Sequence, residues 1–334
     1  MVTQEQIAKK LGTSRQLVSF ALSGYPHVAE ASRQRILAAA RKMGYRPNPH
    51  ARALKNGRTG IVALWVPDQI SSYYSHVARE MGRLVKAARH ELIVSEVGTA
   101  EAEETLSHVP VDGIFAVDAA EQVEMHLKSP HSAVPVISIG AEFSKETDFV
   151  RVDLGEGTRE MMRHLIDCGY RRIVHATFMH QTHPYAGRRT VYAEAMRKAG
   201  LKPEFFIYPL SEQQRSIVRT AIKDYIRRTG KPDAIFCHSD DVAMGIYRGL
   251  CELNLRVPDD VALVGCDGIQ DTEYLERPLT TLVQPVTKMC GIAWKYLENR
   301  LKRPDIKPQR TVLKPVLAIR ESSCKNVKPR TEDN

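Results

Sequence analysis

The sequence of 334 residues lacks any apolar run long enough to cross a membrane, and its apolar stretches are as short as residues 61–66. Its first residues, MVTQEQIAKKLG, have no apolar signal-peptide core. The six cysteines show no C-x-x-C spacing, which favours reduced thiols over a disulfide framework. These absences predict a cytoplasmic protein without a membrane partner.

Catalytic and cofactor motifs are also missing. The sequence contains no G-x-S-x-G, G-x-G-x-x-G or G-x-x-x-x-G-K-[ST] pattern, and no Ser-His-Asp set emerges. His175, His180 and His183, with Cys168 nearby, have loose spacing and no interleaved acid, so we expect a loop there and no metal site. The sequence therefore predicts neither an enzyme nor a bound cofactor.

Acidic residues are nearly absent from the first 60 positions, which hold eleven Lys and Arg but only two acids. The rest of the chain carries 37 residues of each sign. A small basic module is thus joined to a large neutral one. Clustered Lys and Arg are typical of phosphate contacts and indicate nucleic-acid binding, with a solvated basic surface as the alternative.

The first 45 residues predict three short helices. Thr3, with Gln6 three residues later, forms a capping-box pattern, and Ser14 precedes a second helix over 15–22. A third helix is predicted over 30–43. Two helices joined by a turn containing Gly, the second opening with polar residues, are typical of a helix-turn-helix. A three-helix bundle without DNA binding is the alternative.

After a Pro-rich, basic linker at 46–60, short β-branched segments alternate with amphipathic helices. This alternation predicts parallel sheets covered on both faces, and the number of strands favours two α/β subdomains. The strand candidates are 61–66, 91–97, 113–118, 134–140, 149–153, 172–178, 234–239, 261–267, 280–284 and 312–320.

The stretches IAKKLGTSRQLVSFALSG and ILAAARKMGYRPNPHARALKNGRTGIVALWVPD resemble the LacI/GalR family of transcriptional regulators. VDGI, HLIDCGYRRI, PDAIFCHSDDVAMG, VPDDVALVGCD and PLTTLVQP follow in the family's order. The resemblance implies a helix-turn-helix head (1–46), a hinge helix and linker (47–59), a periplasmic-binding-protein-like α/β core (60–322) and a polar tail (323–334). In the core, one subdomain would hold about 61–153 plus 286–313, and the other about 154–283 plus 314–322.

Membership of this family implies a homodimeric, sequence-specific DNA-binding repressor or activator, of which we expect a repressor. Its near-palindromic operator would be released or bound in response to a small ligand, a sugar or related polyol, in the core cleft. The resemblance leaves open whether the ligand induces or co-represses. A sugar-binding module without a DNA role, or a sugar- or nucleotide-modifying α/β enzyme, are the alternatives from other functional classes.

The resemblance places Arg15 and Gln16 at base edges, where Arg suits guanine and Gln suits adenine. Phe20 replaces a common Arg and could meet a thymine methyl or pack inward. Leu54 would wedge into the minor groove, with packing against the core as the alternative. The expected DNA-contacting residues are Thr3, Ser14, Arg15, Gln16, Ser19, Phe20, His27, Arg52, Ala53 and Leu54.

Ligand contacts are expected where strands end, as in open α/β sheets. Arg with several carboxylates suits a hydroxyl-rich ligand, and an aromatic ring can stack on a sugar face. For Asp240, capping of the following helix is an equal alternative. We also expect the helix at 287–301, with Trp294, to contribute to a dimer surface. The expected ligand-contacting residues are Asp68, Tyr73, Tyr74, Asp118, Arg188, Ser239, Asp240, Asp267 and Gln284.

Overall fold

The computed structural model describes residues 2–45, 58–97, 109–141, 143–178, 187–209 and 213–324. The chain divides into two compact units, Met1–Gly60 and Ile61–Asn334. Among the described residues, no helix is both long enough and apolar enough to span a bilayer.

The small unit consists of three helices, α1 (Gln4–Leu11), α2 (Arg15–Leu22) and α3 (Glu30–Lys42). The capping box is complete, because the Gln6 amide donates to Thr3 Oγ1 and the Thr3 amide donates to Gln6 Oε1. Gly12 ends α1 at φ 63°, a left-handed conformation that favours glycine. Ile7, Val18 and Ile36 are buried at the centre. The three predicted helices are confirmed, with small differences at their ends.

The large unit contains two six-stranded sheets. The first has the order β11-β5-β4-β3-β1-β2, and all its pairings are parallel. Its strands are β1 (Ile61–Val66), β2 (Glu91–Glu96), β3 (Gly113–Val117), β4 (Val136–Gly140), β5 (Asp148–Val152) and β11 (Arg310–Leu313).

The second sheet has the order β12-β10-β9-β8-β6-β7, and only β12 runs antiparallel to its neighbour among the described pairs. Its strands are β6 (Ile173–Phe178), β7 (Glu204–Tyr208), β8 (Ala234–Cys237), β9 (Ala262–Asp267), β10 (Thr280–Val283) and β12 (Val316–Ala318). The predicted fold class, an all-α head and a two-sheet parallel α/β core, is confirmed.

Helices cover the sheets because most strand residues are buried and offer apolar side chains to both faces. The chain passes between the sheets after β5, after β10 and between β11 and β12. The helices are α4 (Ser72–Ala87), α5 (Ala120–Lys128), α6 (Leu154–Asp167), α7 (Arg188–Lys198), α8 (Gln214–Thr229), α9 (Asp240–Glu252) and α10 (Val286–Lys302).

Three expectations need correction. The strand β7 was not predicted, because EFFIY is a short edge strand without clear alternation. The segment 312–320 forms two strands in different sheets, since Pro315 lacks the N–H that would continue a ladder. Trp294 is only 9% exposed and packs between the rings of His90 and Phe115, so it is not available to a dimer surface.

Candidate ligand cavity and DNA-contacting surface

A cavity of about 600 Å³ lies where the carboxyl ends of the strands in the two sheets converge. Each strand from β1 to β10 contributes a residue at or just after its last position. This is the edge at which open α/β sheets bind ligands, and the volume is within the range of small-molecule sites. The lining residues at strand ends are Asp68, Glu96, Asp118, Ala141, Leu154, Phe178, Tyr208, His238, Asp267 and Gln284.

The lining is strongly acidic. Among the described residues around the cavity, one guanidinium, that of Arg188, faces six carboxylates. The cavity therefore offers many hydrogen-bond acceptors and a single forked donor of positive charge. The six carboxylates belong to Asp68, Glu96, Asp118, Glu121, Asp241 and Asp267.

Arg188 begins α7 and is held from behind by backbone and imidazole groups. Its Nη1 donates to the carbonyl of His238 at 2.8 Å, and its Nη2 lies 2.8 Å from His238 Nε2. Burial lowers the pKa of His238 well below its usual range, so its imidazole is neutral and Nε2 can accept this hydrogen bond. The guanidinium is thereby fixed in position before any ligand arrives.

A second histidine, His175, is buried in the second sheet. Its Nδ1 lies 2.9 Å from the carbonyl oxygen of Phe236, and the two rings stack with centroids 4.7 Å apart. Burial lowers the pKa of His175 to about 3, so the side chain is a neutral core residue. His175 lies within β6, which confirms the strand predicted over 172–178 and separates this residue from the loop expected for the histidine group. His180 and His183 lie outside the described residues.

Asp267 and Asp118 end their strands in strained backbone conformations, with φ of 126° and 46°. Non-glycine residues seldom adopt positive φ, and such strain is found at functional sites more often than elsewhere. Burial raises the pKa of Asp267 well above its usual range, and the neighbouring Asp240 adds to the rise. Asp118 Oδ1 accepts the Ala141 amide at 2.7 Å, and its Oδ2 accepts the Tyr74 hydroxyl at 3.4 Å.

A buried polar chain links the two sheets at the floor of the cavity. The Tyr73 hydroxyl donates to Gln284 Oε1 at 3.2 Å, and Gln284 Nε2 donates to Asp267 Oδ1 at 2.9 Å. Tyr73 begins its helix from the side of the first sheet, whereas the other two residues follow strands of the second. The relative position of the two halves is thus coupled to the orientation of Asp267.

At the mouth of the cavity, α4 contacts residues of the second half directly. The Ser71 hydroxyl donates to Asp241 Oδ2 at 2.9 Å, and the Ser72 hydroxyl donates to Asp271 Oδ2 at 2.9 Å. Arg215 donates through Nε to Asp241 Oδ1 at 2.8 Å. Asp241 therefore binds the guanidinium of Arg215 from its own half and the hydroxyl of Ser71 from the opposite half.

The expectation for Asp240 needs correction, because this carboxylate has no exposed surface and is absent from the described lining of the cavity. It accepts the amides of Gly268 and Ile269 at 2.8 and 2.9 Å and the hydroxyl of Thr281. It fixes the turn after β9. The cap of α9 is Ser239, whose Oγ accepts from the Val242 amide.

Eight of the nine expected ligand-contacting residues line the cavity, and the structure adds others. The missed residues lie at the ends of strands, just before α4, or on the first turns of α5, α8 and α9, and these places could have indicated them. Their roles as ligand contacts remain a proposal. The added polar and aromatic residues are Ser71, Glu96, Glu121, Gln122, Phe178, Tyr208, Gln214, His238 and Asp241.

In the small unit, α2 presents a polar first turn. Ser14, Arg15 and Gln16 are exposed, and Ser14 Oγ accepts the Leu17 amide at 3.1 Å. Ser14 thus caps the start of α2. Phe20 is half-buried and stacks on Tyr25 with centroids 4.7 Å apart, which is the inward packing left open by the sequence.

The remaining expected DNA contacts fall in two groups. Thr3 and His27 are exposed and Ser19 is half-buried. Thr3 has a structural task in its capping box, so contact with DNA would be a second role. Arg52, Ala53 and Leu54 lie outside the described residues.

Comparisons with known proteins match two family models to this chain. The model of bacterial regulatory proteins, lacI family, matches residues 3–48, and that of the periplasmic binding protein-like domain matches residues 162–323. The ribose operon repressor of Escherichia coli (strain K12) is 26% identical over 330 residues, covering 97% of this chain and all of the relative.

Two solved structures share the fold. A complex of the transcriptional regulator CelR with cellobiose has a TM-score of 0.68 at 25% identity, covering 96% of this chain and 100% of that one. A lac repressor dimer bound to operator and an anti-inducer has a TM-score of 0.82 at 20% identity, covering 97% and 99%. The chain therefore belongs to the lacI family of bacterial regulatory proteins, and it is a DNA-binding transcription regulator rather than an enzyme.

Proposed function

We propose that this regulator is a homodimeric repressor of a near-palindromic operator, controlled by a neutral, hydroxyl-rich ligand in the cavity. The observation that carries the ligand class is the position of Arg188 opposite several carboxylates where the strands of both sheets end. The hydroxyl groups of a sugar can donate to the carboxylates, and a ring or hydroxyl oxygen can accept from the guanidinium.

Charge argues for a neutral ligand rather than a phosphorylated one. A doubly anionic group would be repelled by the carboxylates, and Arg188 is already engaged with His238. Phe178 and Tyr208 add aromatic surface to the lining, and an aromatic face suits the apolar side of a sugar ring. Solved structures of similar regulators have cellobiose, lactose and ribose bound, which favours a saccharide here.

The DNA-binding role is assigned to the first turn of α2. Arg15 can grip O6 and N7 of guanine and Gln16 can grip N6 and N7 of adenine. Ser14, Ser19 and His27 would set the register through phosphates. The basic charge of residues 1–60 supplies the long-range attraction. Two copies related by a dyad would read two half-sites, as in the operator-bound lac repressor dimer.

Control follows from the link between the two halves of the core. A ligand that contacts Arg188 and Asp267 on one side and Asp118 on the other binds best to one relative arrangement of the halves. It shifts the population towards that arrangement by its difference in affinity, typically about 1–3 kcal/mol. We also propose that the DNA-binding head spans 1–46, the hinge helix and linker 47–59, and the ligand-binding core 60–322. Because the operator is DNA, we propose that the regulator acts in the cytoplasm.

The test is selection of random DNA duplexes by the purified full chain, with and without a panel of neutral sugars and their phosphates. Enrichment of a palindrome whose affinity changes with one neutral sugar would support the proposal. An effect of the phosphorylated sugar alone would contradict the ligand class. If a sugar binds and no duplex is enriched at any salt concentration, the sugar-binding-module alternative replaces the repressor.

A further inference from the structure

A second cluster of reactive side chains lies at the far end of α6 from the cavity. Each of His164, Cys168 and Cys324 offers one metal-binding atom, and these three atoms lie within 4.8 Å of one another. The first residue of α6, Leu154, lines the cavity, and the helix has 14 residues. At 1.5 Å per residue the cluster is therefore about 20 Å from the ligand site.

The three residues come from two distant parts of the chain. His164 lies on the last turn of α6, and Cys168, four positions later, is the C-cap residue in a helical conformation, so the two side chains share a face. Cys324 reaches the same point from the carboxyl-terminal side, 156 residues away from Cys168. Sequence spacing did not indicate a metal site, because the third residue is brought in only by tertiary structure.

The segment that delivers Cys324 is firmly anchored. Ser322 and Ser323 have no exposed surface, and Ser322 Oγ donates to the Leu263 carbonyl at 2.6 Å. The Tyr170 hydroxyl donates to the Ser323 carbonyl at 3.0 Å, and Ser323 Oγ lies 2.8 Å from His164 Nε2. The last ligand is thus held beside the other two by contacts that do not involve it.

We propose that His164, Cys168 and Cys324 form a Zn²⁺ site with solvent as the fourth ligand. Two thiolates and an imidazole are donors that this ion prefers, and three protein ligands plus water form a known tetrahedral arrangement. Binding would exchange the two thiol protons for the ion, so that two protons leave when both sulfurs coordinate.

The distances require only small movements. With Zn–S bonds of about 2.3 Å and tetrahedral angles, the two sulfurs should be about 3.8 Å apart, and each should be about 3.6 Å from the imidazole nitrogen. The sulfurs are 3.1 Å apart. Cys168 Sγ lies 3.9 Å from His164 Nδ1, whereas Cys324 Sγ lies 4.0 Å from the other ring nitrogen, Nε2. A single imidazole nitrogen and both sulfurs lie within 4.8 Å of one another. Shifts of up to about 1 Å, within the reach of side-chain torsions, would bring both sulfurs to the same nitrogen.

The bound ion would attach the carboxyl-terminal segment to the end of α6, because Cys324 lies in that segment and His164 lies in the last turn of the helix.

The experiment uses the reduced, metal-free full chain titrated with Co²⁺ as a spectroscopic probe and then with Zn²⁺ in competition. We expect one equivalent of Co²⁺ to give a thiolate charge-transfer band in the near ultraviolet and the visible bands of tetrahedral Co²⁺, both removed by Zn²⁺. Thermal unfolding with Zn²⁺ should move to higher temperature, since the ion binds only the folded arrangement.

Variants Cys168→Ser, Cys324→Ser and His164→Asn should each weaken Zn²⁺ binding at least tenfold. The matched control is Cys251→Ser, which removes an exposed free thiol from α9 and should leave binding unchanged. Circular dichroism and operator binding show whether each variant is folded. The proposal is overturned if the thiolate band is absent, if it survives Cys168→Ser, or if the reduced chain binds Zn²⁺ no tighter than the Cys168→Ser/Cys324→Ser double variant. If Cys168 and Cys324 are isolated as a disulfide and the chain binds no Zn²⁺ once that bond is reduced, the proposal is likewise overturned.

Discussion

Replacement of Arg188 by Met should uncouple the regulator from its ligand. The Arg188 side chain is 7% exposed and fixed by His238, so its guanidinium pays little ordering cost on binding. Loss of one charge-assisted hydrogen bond costs about 1.5–3 kcal/mol, which weakens ligand binding about 10- to 150-fold. Calorimetry with the sugar identified by the duplex selection measures this loss. Operator affinity without ligand should change little, because the expected base contacts lie on α2.

The neighbouring arginine provides the matched control for Arg188→Met. The Arg189 guanidinium lies 4.8 Å from the centroid of the Phe205 ring and is absent from the described lining of the cavity. Arg189→Met removes the same charge from the same helix and should leave ligand affinity unchanged. Arg188→Lys retains the positive charge but not the two parallel N–H donors, so its ligand affinity should lie between those of the wild type and Arg188→Met. Equal ligand affinity in Arg188→Met and wild type, or equal losses in the two Met variants, would refute this reasoning.

Arg15→Ala should weaken binding to the selected operator by about 1–3 kcal/mol per half-site and leave binding to random DNA nearly unchanged; equal losses on both duplexes in anisotropy titrations would contradict base readout. Gly245→Ala should destabilise the fold by about 1–3 kcal/mol, because the added Cβ would lie 2.5 Å from the Arg215 carbonyl oxygen. Its control, Gly82→Ala, meets only an ordinary contact at 3.8 Å and should stabilise a helix by about 0.5–1 kcal/mol in urea unfolding. His175→Phe should reduce acid lability: the pKa of His175 is about 3 in the fold against 6.5 in the unfolded chain, so stability is lost as pH falls below 6.5. This loss reaches about 2 kcal/mol at pH 5. If the difference in free energy of unfolding between wild type and variant is the same at pH 7 and pH 5, protonation of His175 is not the cause.

The head of the protein follows from local sequence. Thr3 with Gln6, Gly12 and Ser14 set the ends of α1 and α2 through caps whose partners are only a few residues away. The strand segments of the core were also predictable, because strands buried on both faces of a parallel sheet appear in the sequence as continuous apolar runs. The edge strand β7 lacked that signal, and its place was decided by pairing with β6.

The cavity was predictable in its position and less so in its members. Strand ends converge by topology, which brought Asp118, Arg188 and Asp267 together as expected. Two adjacent carboxylates, Asp240 and Asp241, look alike in sequence. The first turns inward to the Gly268 and Ile269 amides, whereas the second faces the cavity.

The sequence by itself determined the basic three-helix head, the alternating α/β core and the family, since each rests on spacing along the chain. Tertiary structure decided the neutral state of His238 behind Arg188, the burial of Trp294, and the meeting of Cys168 with Cys324. These outcomes depend on burial and on contacts between residues far apart in sequence. Local propensity does not encode such contacts, because a side chain's environment is fixed only when distant segments pack around it.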